Sequence, residues 1–552
     1  MLHSGLTLLE NNPVLLLFLL LGLGYILGNV RVRGFSLGPV AGVLFAGIFF
    51  GHHGLRLSPA AQTLGFALFI FSVGYQAGPR FFGAMKADGL KYFLLSLTVA
   101  LSALGLALVA AQILPMKPGN PAGLLAGGLT SSPTLAAAQD AVLSGTVSVP
   151  EGITQEQMVS NIASAYAITY IFGLTGLITL IRYLPRWLGV DLQAESRELE
   201  KAAQSDIPPA NISVRWYRIN NKRFLQMTVG EIREQYCERA PVATVWRNNE
   251  EVALNPDDRP QPGDVLELIG PRALFSGGIA DIGEELNPDI DLDKARHSGV
   301  VVVTKKEMAG QTLGQLNPPR NYAVIIEKIL RSGAEMPHSP GFKIQRGDVY
   351  HVVGRPEAIE AFGRHVGHAE GESTHTDMIT FAFGIVAGLL LGMLSVNVGG
   401  ISLGLGTAGG LLTTGLVIGY LRSIRPTFGR LPEATSWWLM EFGLLLFMAG
   451  VGLSAGGSFI ATIAEAGPGL VIAGITITCV PLFVAYFVGS KLLRLNPAIL
   501  MGALTGAMTS GASLSVVTTE ARSAVPAIGY AGTYAFGNVL LMVAGPILLM
   551  LT

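Results

Sequence analysis

Two short strings of small hydroxyl-bearing residues interrupt apolar segments near opposite ends of the chain, at residues 127–135 and 506–514. Gly and Pro break helices and free backbone N–H groups, while Ser and Thr add hydroxyl donors. Such donors, at a helix end with partial positive charge, suit a carboxylate without a buried Lys or Arg. Close packing of helices through small residues is the alternative. The residues predicted to bind an anion are Thr130, Ser131, Ser132, Pro133, Thr134, Thr509, Ser510, Gly511, Ala512 and Ser513.

A second shared string, rich in Tyr and Thr, follows each hydroxyl string. The residues concerned are Tyr166, Thr169 and Tyr170, then Tyr530, Thr533 and Tyr534. The spacing i, i+3, i+4 places the three side chains of each set on one helix face. We predict that these two helix faces line the binding site and donate hydrogen bonds to its ligand. Packing between neighbouring helices is the alternative function of these faces.

No motif in the sequence indicates catalysis. We find no nucleophile–base pair, no paired carboxylates in a soluble segment and no phosphate-binding loop. Cys237 and Cys479 have no CxxC or CxxH context, so we expect neither a disulfide nor a metal site. The formal net charge of −1 gives no reason to expect a nucleic-acid partner. The sequence therefore predicts a protein that is not an enzyme and has no cofactor.

The composition is that of an α-helical polytopic membrane protein. Half of the residues are hydrophobic and only 14% are charged, which is far from the composition of a soluble chain of 552 residues. We predict membrane repeats at residues 1–189 and 376–552, separated by a soluble α/β insert at 190–375. Broken segments lie at 121–146 and 497–519. The predicted spans are 13–29, 35–51, 62–78, 92–114, 158–181, 378–396, 403–420, 438–456, 468–490 and 526–551.

Four strings recur in the same order in both halves, which indicates a duplicated unit. Besides the two pairs above, residues 34–38 match 400–404, and 69–78 match 447–456. The last pair carries a Gly-x3-Gly spacing, which is typical of a helix contact. Gly- and Pro-interrupted segments at corresponding places in two halves are the sequence feature that best indicates a transporter's binding site.

The distribution of Lys and Arg predicts the orientation of the chain. With periplasmic termini, nearly all basic residues of the short loops fall on the cytoplasmic side, as the positive-inside rule requires. This holds only if each broken segment enters and leaves the membrane on the same side. Each half then has five spans and one re-entrant hairpin, and the two halves are inverted. Full but unwound crossings of the broken segments are the alternative.

The soluble insert shows two copies of a small module, at about 212–275 and 296–362. Each copy ends with a Gly-Asp turn followed by an alternating strand, at residues 263–270 and 347–354. This pattern resembles the C-terminal subdomain of potassium-conductance regulators. The resemblance implies a cytoplasmic sensor for a small ligand of unknown identity, and a dimerising or packing module without a ligand is the alternative. No GxGxxG precedes either copy, so we predict no nucleotide site.

Two inverted membrane halves around regulator-like modules, with hairpin motifs GGLTSSPTL and GAMTSGASL, resemble the aspartate:alanine exchanger family. The resemblance covers nearly the whole chain. It implies a secondary antiporter of the bacterial inner membrane that exchanges L-aspartate for L-alanine, with small carboxylates or amino acids as substrates. A succinate-type dicarboxylate exporter is the alternative.

On this basis we expect electrogenic exchange, an elevator-like movement of the hairpins in the lipid bilayer, and a homodimer. An ion channel gated by the cytoplasmic modules is less favoured, because the chain has no filter sequence such as TVGYG.

Overall fold

The structure is a computed structural model, in which the chain divides into two compact units. The helical unit comprises Met1–Ser196, His375–Arg422 and Thr427–Thr552, and the insert unit comprises Arg197–Thr374 with Ser423–Pro426. The residues described are 2–32, 35–84, 89–203, 212–235, 242–247, 250–252, 257–271, 283–286, 297–322, 324–331, 334–336, 339–370, 376–398, 401–425 and 428–552. Cys237, one of the two cysteines considered above, lies outside these residues.

Helices dominate the described residues. In chain order they are α1 (Leu2–Glu10), α2 (Pro13–Asn29), α3 (Pro39–His52), α4 (Pro59–Ala84), α5 (Gly89–Ile113), α6 (Asn120–Gly128), α7 (Ser132–Leu143), α8 (Gln155–Trp187), α9 (Leu192–Ala203), α10 (Lys222–Gln226), α11 (Val229–Gln235), α12 (Leu313–Leu316), α13 (Pro318–Tyr322), α14 (Pro356–Val366), α15 (Met378–Gly392), α16 (Gly406–Ile424), α17 (Glu433–Gly456), α18 (Phe459–Phe487), α19 (Pro497–Ala507), α20 (Gly511–Ala521) and α21 (Val525–Leu551). Each predicted span overlaps one of these helices, and each broken segment overlaps two.

Length and hydropathy mark several helices as membrane spans. Among the described residues, α5, α8, α17, α18 and α21 are long and apolar enough to cross a membrane, and α2, α3, α15 and α19 are shorter apolar helices. Several helices begin with a proline, which costs no hydrogen bond in the first turn. The long helix α8 instead begins with a capping box, in which the Thr154 hydroxyl accepts from the Gln157 amide.

The helical unit contains two groups of packed helices. In the first, called the scaffold group, α2, α3 and α4 pack with α15, α16 and α17. In the second, called the hairpin group, α5–α8 pack with α18–α21. Each group draws equivalent helices from both halves of the chain. Each group therefore contains helices from both copies of the unit that is duplicated in the sequence.

The Gly-x3-Gly segments are helix contacts, as their spacing predicts. A Cβ on Gly74 or Gly78 would meet backbone atoms of α16, and a Cβ on Gly452 or Gly456 would meet backbone atoms of α3. Both contacts belong to the scaffold group. Only glycine lets the helices approach this closely.

Short β-hairpins also mark the repeat. Strands β1 (Arg31–Val32) and β2 (Phe35–Ser36) pair antiparallel between α2 and α3. Strands β13 (Ser395–Val398) and β14 (Ile401–Gly404) do the same between α15 and α16. The repeated strings at 34–38 and 400–404 contain β2 and β14, although Gly34 and Gly400 themselves lie outside the described residues.

The insert contains two five-stranded antiparallel sheets with the same strand order. The strands are β3 (Ile212–Ile219), β4 (Val242–Arg247), β5 (Glu250–Val252), β6 (Val265–Pro271), β7 (Gly283–Leu286), β8 (His297–Val303), β9 (Ile325–Arg331), β10 (Ala334–Met336), β11 (Val349–Gly354) and β12 (Gly367–Glu370). The first sheet has the order β5-β4-β6-β3-β7 and the second sheet has the order β10-β9-β11-β8-β12. Because β7 and β12 complete the sheets, the modules extend beyond the predicted limits of 275 and 362.

The same ion pair fixes the Gly-Asp turn in both modules. Asp264 is buried and accepts two hydrogen bonds of 2.8 Å from Arg247. Asp348 is buried and accepts bonds of 2.6 and 2.7 Å from Arg331. Bidentate pairing of this kind offsets the cost of burying a carboxylate. The Asp of each turn is therefore structural, and the two modules are duplicates of one fold.

Candidate functional site

The first broken segment is a re-entrant hairpin. Helix α6 runs parallel to α8, since a Cβ on Gly123 would meet Ile162 and one on Gly127 would meet Thr169. Both glycines allow the two backbones to approach closely.

Helix α7 runs in the opposite direction. The Ser132 hydroxyl lies 3.3 Å from the Tyr166 hydroxyl, whereas farther along α7 the Gln139 amide donates to the Val159 carbonyl, near the start of α8. Two antiparallel helices joined by three residues form a hairpin, and we call α6 and α7 hairpin 1.

The second broken segment has the same construction. Helix α19 runs parallel to α21, because a Cβ on Gly502 would meet Pro526 and one on Gly506 would meet Tyr530. Helix α20 starts with Gly511, whose Cβ position is 3.7 Å from the Tyr530 hydroxyl, and it ends three residues before α21 begins. It is therefore antiparallel to α21. We call α19 and α20 hairpin 2.

The two hairpins enter the hairpin group from opposite ends. The base of hairpin 1 lies beside the amino end of α8, where Asn161 donates to the Pro118 carbonyl over 3.0 Å. The base of hairpin 2 lies beside the carboxyl end of α8, where Arg186 and Glu520 are 2.9 Å apart. The inverted repeat and the re-entrant hairpins are thereby confirmed, and the alternative of two full crossings is set aside.

The hairpin tips approach each other near the middle of the group. Near tip 1, the Thr134 hydroxyl donates to the Leu541 carbonyl on α21 over 3.0 Å. Near tip 2, the Thr533 hydroxyl of the same helix donates to the Ala503 carbonyl over 2.7 Å. Thr533 and Leu541 are eight residues apart, which corresponds to roughly 12 Å along a helix.

Both tips have the same backbone conformation, which is a Schellman motif closed by threonine. At tip 1 the Ser131 amide donates to the Ala126 carbonyl over 2.8 Å and the Thr130 amide donates to the Gly127 carbonyl over 3.0 Å. Thr130 has a left-handed backbone with φ of 53°. Glycine is the usual residue at this position, since it has no Cβ to clash.

Tip 2 repeats this motif bond for bond. The Ser510 amide donates to the Thr505 carbonyl and the Thr509 amide donates to the Gly506 carbonyl, both over 2.9 Å. Thr509 has φ of 54°. Its Oγ1 atom is buried and, among the described residues, has no hydrogen-bond partner. A strained threonine at the same place in two repeats, with a buried unsatisfied hydroxyl in the second, is typical of a functional position.

Serine caps the inner helix of each hairpin. The Ser131 hydroxyl accepts from the Thr134 amide and from its hydroxyl, the latter over 2.6 Å. The Ser510 hydroxyl accepts from the Ser513 amide over 3.3 Å and lies 2.9 Å from the Ser513 hydroxyl. These four predicted site residues therefore order the tip, because they satisfy N–H groups that the helix start leaves open.

The two tips differ in the amides that they present. A helix start leaves its first N–H groups without a partner inside the helix. In hairpin 2 these belong to Gly511 and Ala512, both in the first turn of α20. In hairpin 1 the corresponding residues are Ser132 and Pro133, and proline has no N–H. Tip 2 thus offers two backbone donors, while tip 1 offers one donor and the Ser132 hydroxyl.

The four predicted tyrosines lie beside the tips as two pairs. The rings of Tyr166 and Tyr170 have centroids 5.2 Å apart, and those of Tyr530 and Tyr534 have centroids 5.0 Å apart. Tyr166 is fully buried and Tyr170 is nearly so, whereas Tyr530 and Tyr534 are partly exposed. The geometry therefore brings the predicted tyrosine walls and the hydroxyl tips together.

Thr169 and Thr533 have a different environment from the tyrosines. The Thr169 hydroxyl donates to the Ala165 carbonyl over 2.8 Å, and the Thr533 hydroxyl donates to the Ala503 carbonyl. Both threonines are fully buried against the hairpin glycines Gly127 and Gly506. Their hydroxyls are thus engaged by backbone carbonyls, which is the packing alternative considered for these helix faces.

Two side chains outside the predicted set also act on hairpin 1. The Thr478 hydroxyl of α18 donates to the Gly128 carbonyl over 2.6 Å, at the end of α6. The Asp140 carboxylate accepts from the Ala408 amide over 2.9 Å, which ties hairpin 1 to the start of α16 in the scaffold group. A lone Thr in an apolar helix gives no sequence signal of such a contact. From the sequence alone, Asp140 could carry a coupling proton or be a solvated charge at the end of the hairpin.

The base of hairpin 2 borders a cleft of about 340 Å³. Its lining includes Arg186, Asp191 and Glu520. This cleft lies at the end of α8 and not at the hairpin tips. Within the described residues, no group of three or more His, Cys, Asp or Glu side chains is placed to hold a metal ion.

Comparisons with known proteins agree with this architecture. The family model for a predicted permease membrane region of aspartate:alanine exchangers matches residues 16–186 and again 380–550. The model for the TrkA-C domain matches residues 298–367, which is the second module of the insert. No solved structure matches the chain at a significant level. Because the two permease matches cover more than half of the sequence, this chain belongs to the aspartate:alanine exchanger family of membrane permeases.

Proposed function

We propose that this protein is a secondary antiporter that exchanges L-aspartate for L-alanine across the bacterial inner membrane. The proposal rests on one observation: two hydroxyl-bearing hairpin tips approach each other from opposite ends of one helix group. A carboxylate held there receives hydrogen bonds from backbone N–H groups and hydroxyls, and it faces the positive end of a helix dipole.

Because the two tips present different hydrogen-bond donors, we assign each tip a separate role in substrate binding. The Gly511 and Ala512 amides, with the buried Thr509 hydroxyl beside them, suit one substrate carboxylate at tip 2. Tip 1 offers the Ser132 hydroxyl and the Tyr166 hydroxyl for a second polar group. This arrangement fits a substrate with two polar ends, such as aspartate.

The division into a scaffold group and a hairpin group supports an elevator-like movement of the hairpins. The proposal also includes periplasmic termini, a cytoplasmic insert and a homodimer, all of which follow from the charge distribution and the family. A succinate-type exporter is the second candidate, since two donor-rich tips suit any small dicarboxylate.

Exchange in reconstituted vesicles tests the proposal. Vesicles loaded with alanine should take up labelled aspartate, and empty vesicles should not. A competition panel of alanine, glutamate, succinate and malate then separates an amino-acid exchanger from a dicarboxylate exporter. Uptake that ignores internal alanine would rule out the proposed exchange.

Replacement of a tip serine should abolish this uptake. Ser132→Leu and Ser510→Leu place bulk at the two tips where the substrate is proposed to bind, and Ser510→Leu also removes a helix cap, so each should reduce exchange by about 100-fold or more. Ser102→Leu is the matched control, because the Ser102 hydroxyl donates within the apolar helix α5, to the Thr98 carbonyl. If both tip variants are folded and transport at the wild-type rate, the site lies elsewhere.

A further inference from the structure

The corner between α8 and α9 is a rigid turn. Helix α8 ends in a Schellman motif, with Gly189 at φ of 67° and a 2.8 Å bond from the Val190 amide to the Pro185 carbonyl. Helix α9 starts at once, because Asp191 accepts from the Gln193 and Ala194 amides over 3.0 Å each. Both helix ends at this corner are therefore capped.

Helix α9 is also hydrogen-bonded to hairpin 2. The Asn496 side-chain amide donates to the Glu195 carboxylate over 2.8 Å. The other side-chain atom of Asn496, its carbonyl oxygen, accepts from the Ala498 amide over 2.9 Å and so caps α19. One asparagine therefore joins the start of hairpin 2 to the first turn of α9. A hydrogen bond to a charged acceptor is stronger than a neutral one.

The other arm of hairpin 2 is joined to the same corner. Arg186, in the last turn of α8, pairs with Glu520 near the end of α20. The Arg186 side chain is 62% exposed, so this ion pair adds little on its own. The bond between Glu195 and Asn496 is then the stronger of these two polar contacts between the corner and the hairpin base.

Hairpin 1 has the same asparagine in a different environment. Asn120 begins an Asn-Pro-Ala string that matches Asn496-Pro497-Ala498. Asn120 is buried, and its side-chain oxygen has no hydrogen-bond partner among the described residues. Of these two equivalent asparagines, the one in hairpin 2 carries the bond to the helix that leads into the insert.

We infer that α9 anchors hairpin 2: the Glu195–Asn496 bond holds the base of the hairpin, and Glu195 is a positioning residue for the transport cycle. The inference rests on the proposed function, in which hairpin 2 is a moving part of the transporter. Loss of the bond should loosen the base of hairpin 2.

Hydrogen exchange of the full-length protein in lipid nanodiscs tests the bond. Glu195→Ala should speed deuterium uptake in peptides covering residues 496–507 by about tenfold or more. Glu195→Gln keeps a neutral acceptor and should give a smaller increase. Asn496→Asp keeps the helix cap but replaces the donor by a second carboxylate, so it should match Glu195→Ala. Glu198→Ala, an exposed carboxylate on the same helix, should leave uptake unchanged.

Deuterium uptake at residues 496–507 that is equal in Glu195→Ala and in the wild type would overturn the inference. Because deuterium uptake needs no substrate, it separates the inference from the proposed function. Aspartate–alanine exchange by the wild type, together with unchanged deuterium uptake in Glu195→Ala, would contradict the inference alone. Faster deuterium uptake in Glu195→Ala in a protein that moves no substrate would contradict the proposed function alone.

Discussion

Thr130 and Thr509 occupy a backbone conformation that glycine would adopt without strain. Their φ values are 53° and 54°. A left-handed conformation costs a residue with a Cβ roughly 1–2 kcal/mol. Two equivalent threonines that both bear this cost indicate that the hydroxyl is retained for a purpose other than stability. On the proposed function, the substrate forms a hydrogen bond with the buried, unsatisfied Oγ1 of Thr509.

Thr509→Gly separates stability from transport. Glycine removes the strain, so the melting temperature in detergent should rise, while loss of the hydroxyl should reduce exchange by about tenfold. Thr509→Ala is the control, since it also lacks the hydroxyl but keeps the strain. It should lose as much transport as Thr509→Gly without gaining stability. A glycine variant that transports normally would contradict a role for the hydroxyl.

At the scale of the elements, glycine sets how closely the hairpins approach α8 and α21. Gly127 faces Thr169, and Gly506 faces Thr533. A Cβ at either glycine would clash with the threonine hydroxyl and with a backbone carbonyl. The repeated glycines and threonines therefore place the tips by close packing, and they need no contact with the substrate to matter for transport.

Gly506→Ala should displace hairpin 2 from α21. Overpacking of this kind costs about 1–3 kcal/mol, so both the melting temperature and the exchange rate should fall. Gly105→Ala on α5 is the matched control, because nothing lies within 4 Å of the Cβ position. Equal melting temperatures for the two variants would show that the interface tolerates a methyl group.

The hairpins could be predicted because their signals are local. An Asn-Pro pair starts each hairpin, and a Thr-Ser pair separates its two helices. The hydropathy pattern predicts that the ninth span starts at Pro468, but α18 begins nine residues earlier, at Phe459. The reason is a kink at Gly467, where φ is 54°, so that Pro468 begins the second part of a bent helix.

Contacts between distant residues could not be predicted from the sequence. Thr134 bonds to Leu541 across 407 positions of sequence, and Asp140 bonds to Ala408 across 268. Neither pair has a local signal, since a Thr hydroxyl and an Asp carboxylate find many partners in a folded chain. The two hairpins could thus be located from the sequence, while the contacts that hold their residues in place could not.

At the scale of the whole molecule, the helical unit joins a scaffold group and a hairpin group. On the proposed exchange, an anion moves one way while a neutral amino acid moves the other, so each cycle transfers one net charge. One elementary charge across 100 mV corresponds to about 2.3 kcal/mol. The membrane potential should therefore control the direction of exchange.

Aspartate accumulation should change by about fifty-fold for each 100 mV imposed across the vesicle membrane. Potassium gradients with valinomycin set the potential, and labelled aspartate in alanine-loaded vesicles reports the accumulation. Alanine–alanine exchange moves no net charge and should reach the same equilibrium at every potential. Aspartate accumulation that is independent of potential would indicate a compensating ion.

Cross-linking of the two tips tests the central claim most directly. Thr130→Cys and Thr509→Cys, in a chain without Cys237 and Cys479, would place one thiol on each tip. The account predicts that a short bismaleimide joins the two thiols, and that aspartate slows the reaction while a neutral sugar does not. Folded protein whose tips do not cross-link, or whose cross-linking ignores every carboxylate and amino acid tried, would contradict it.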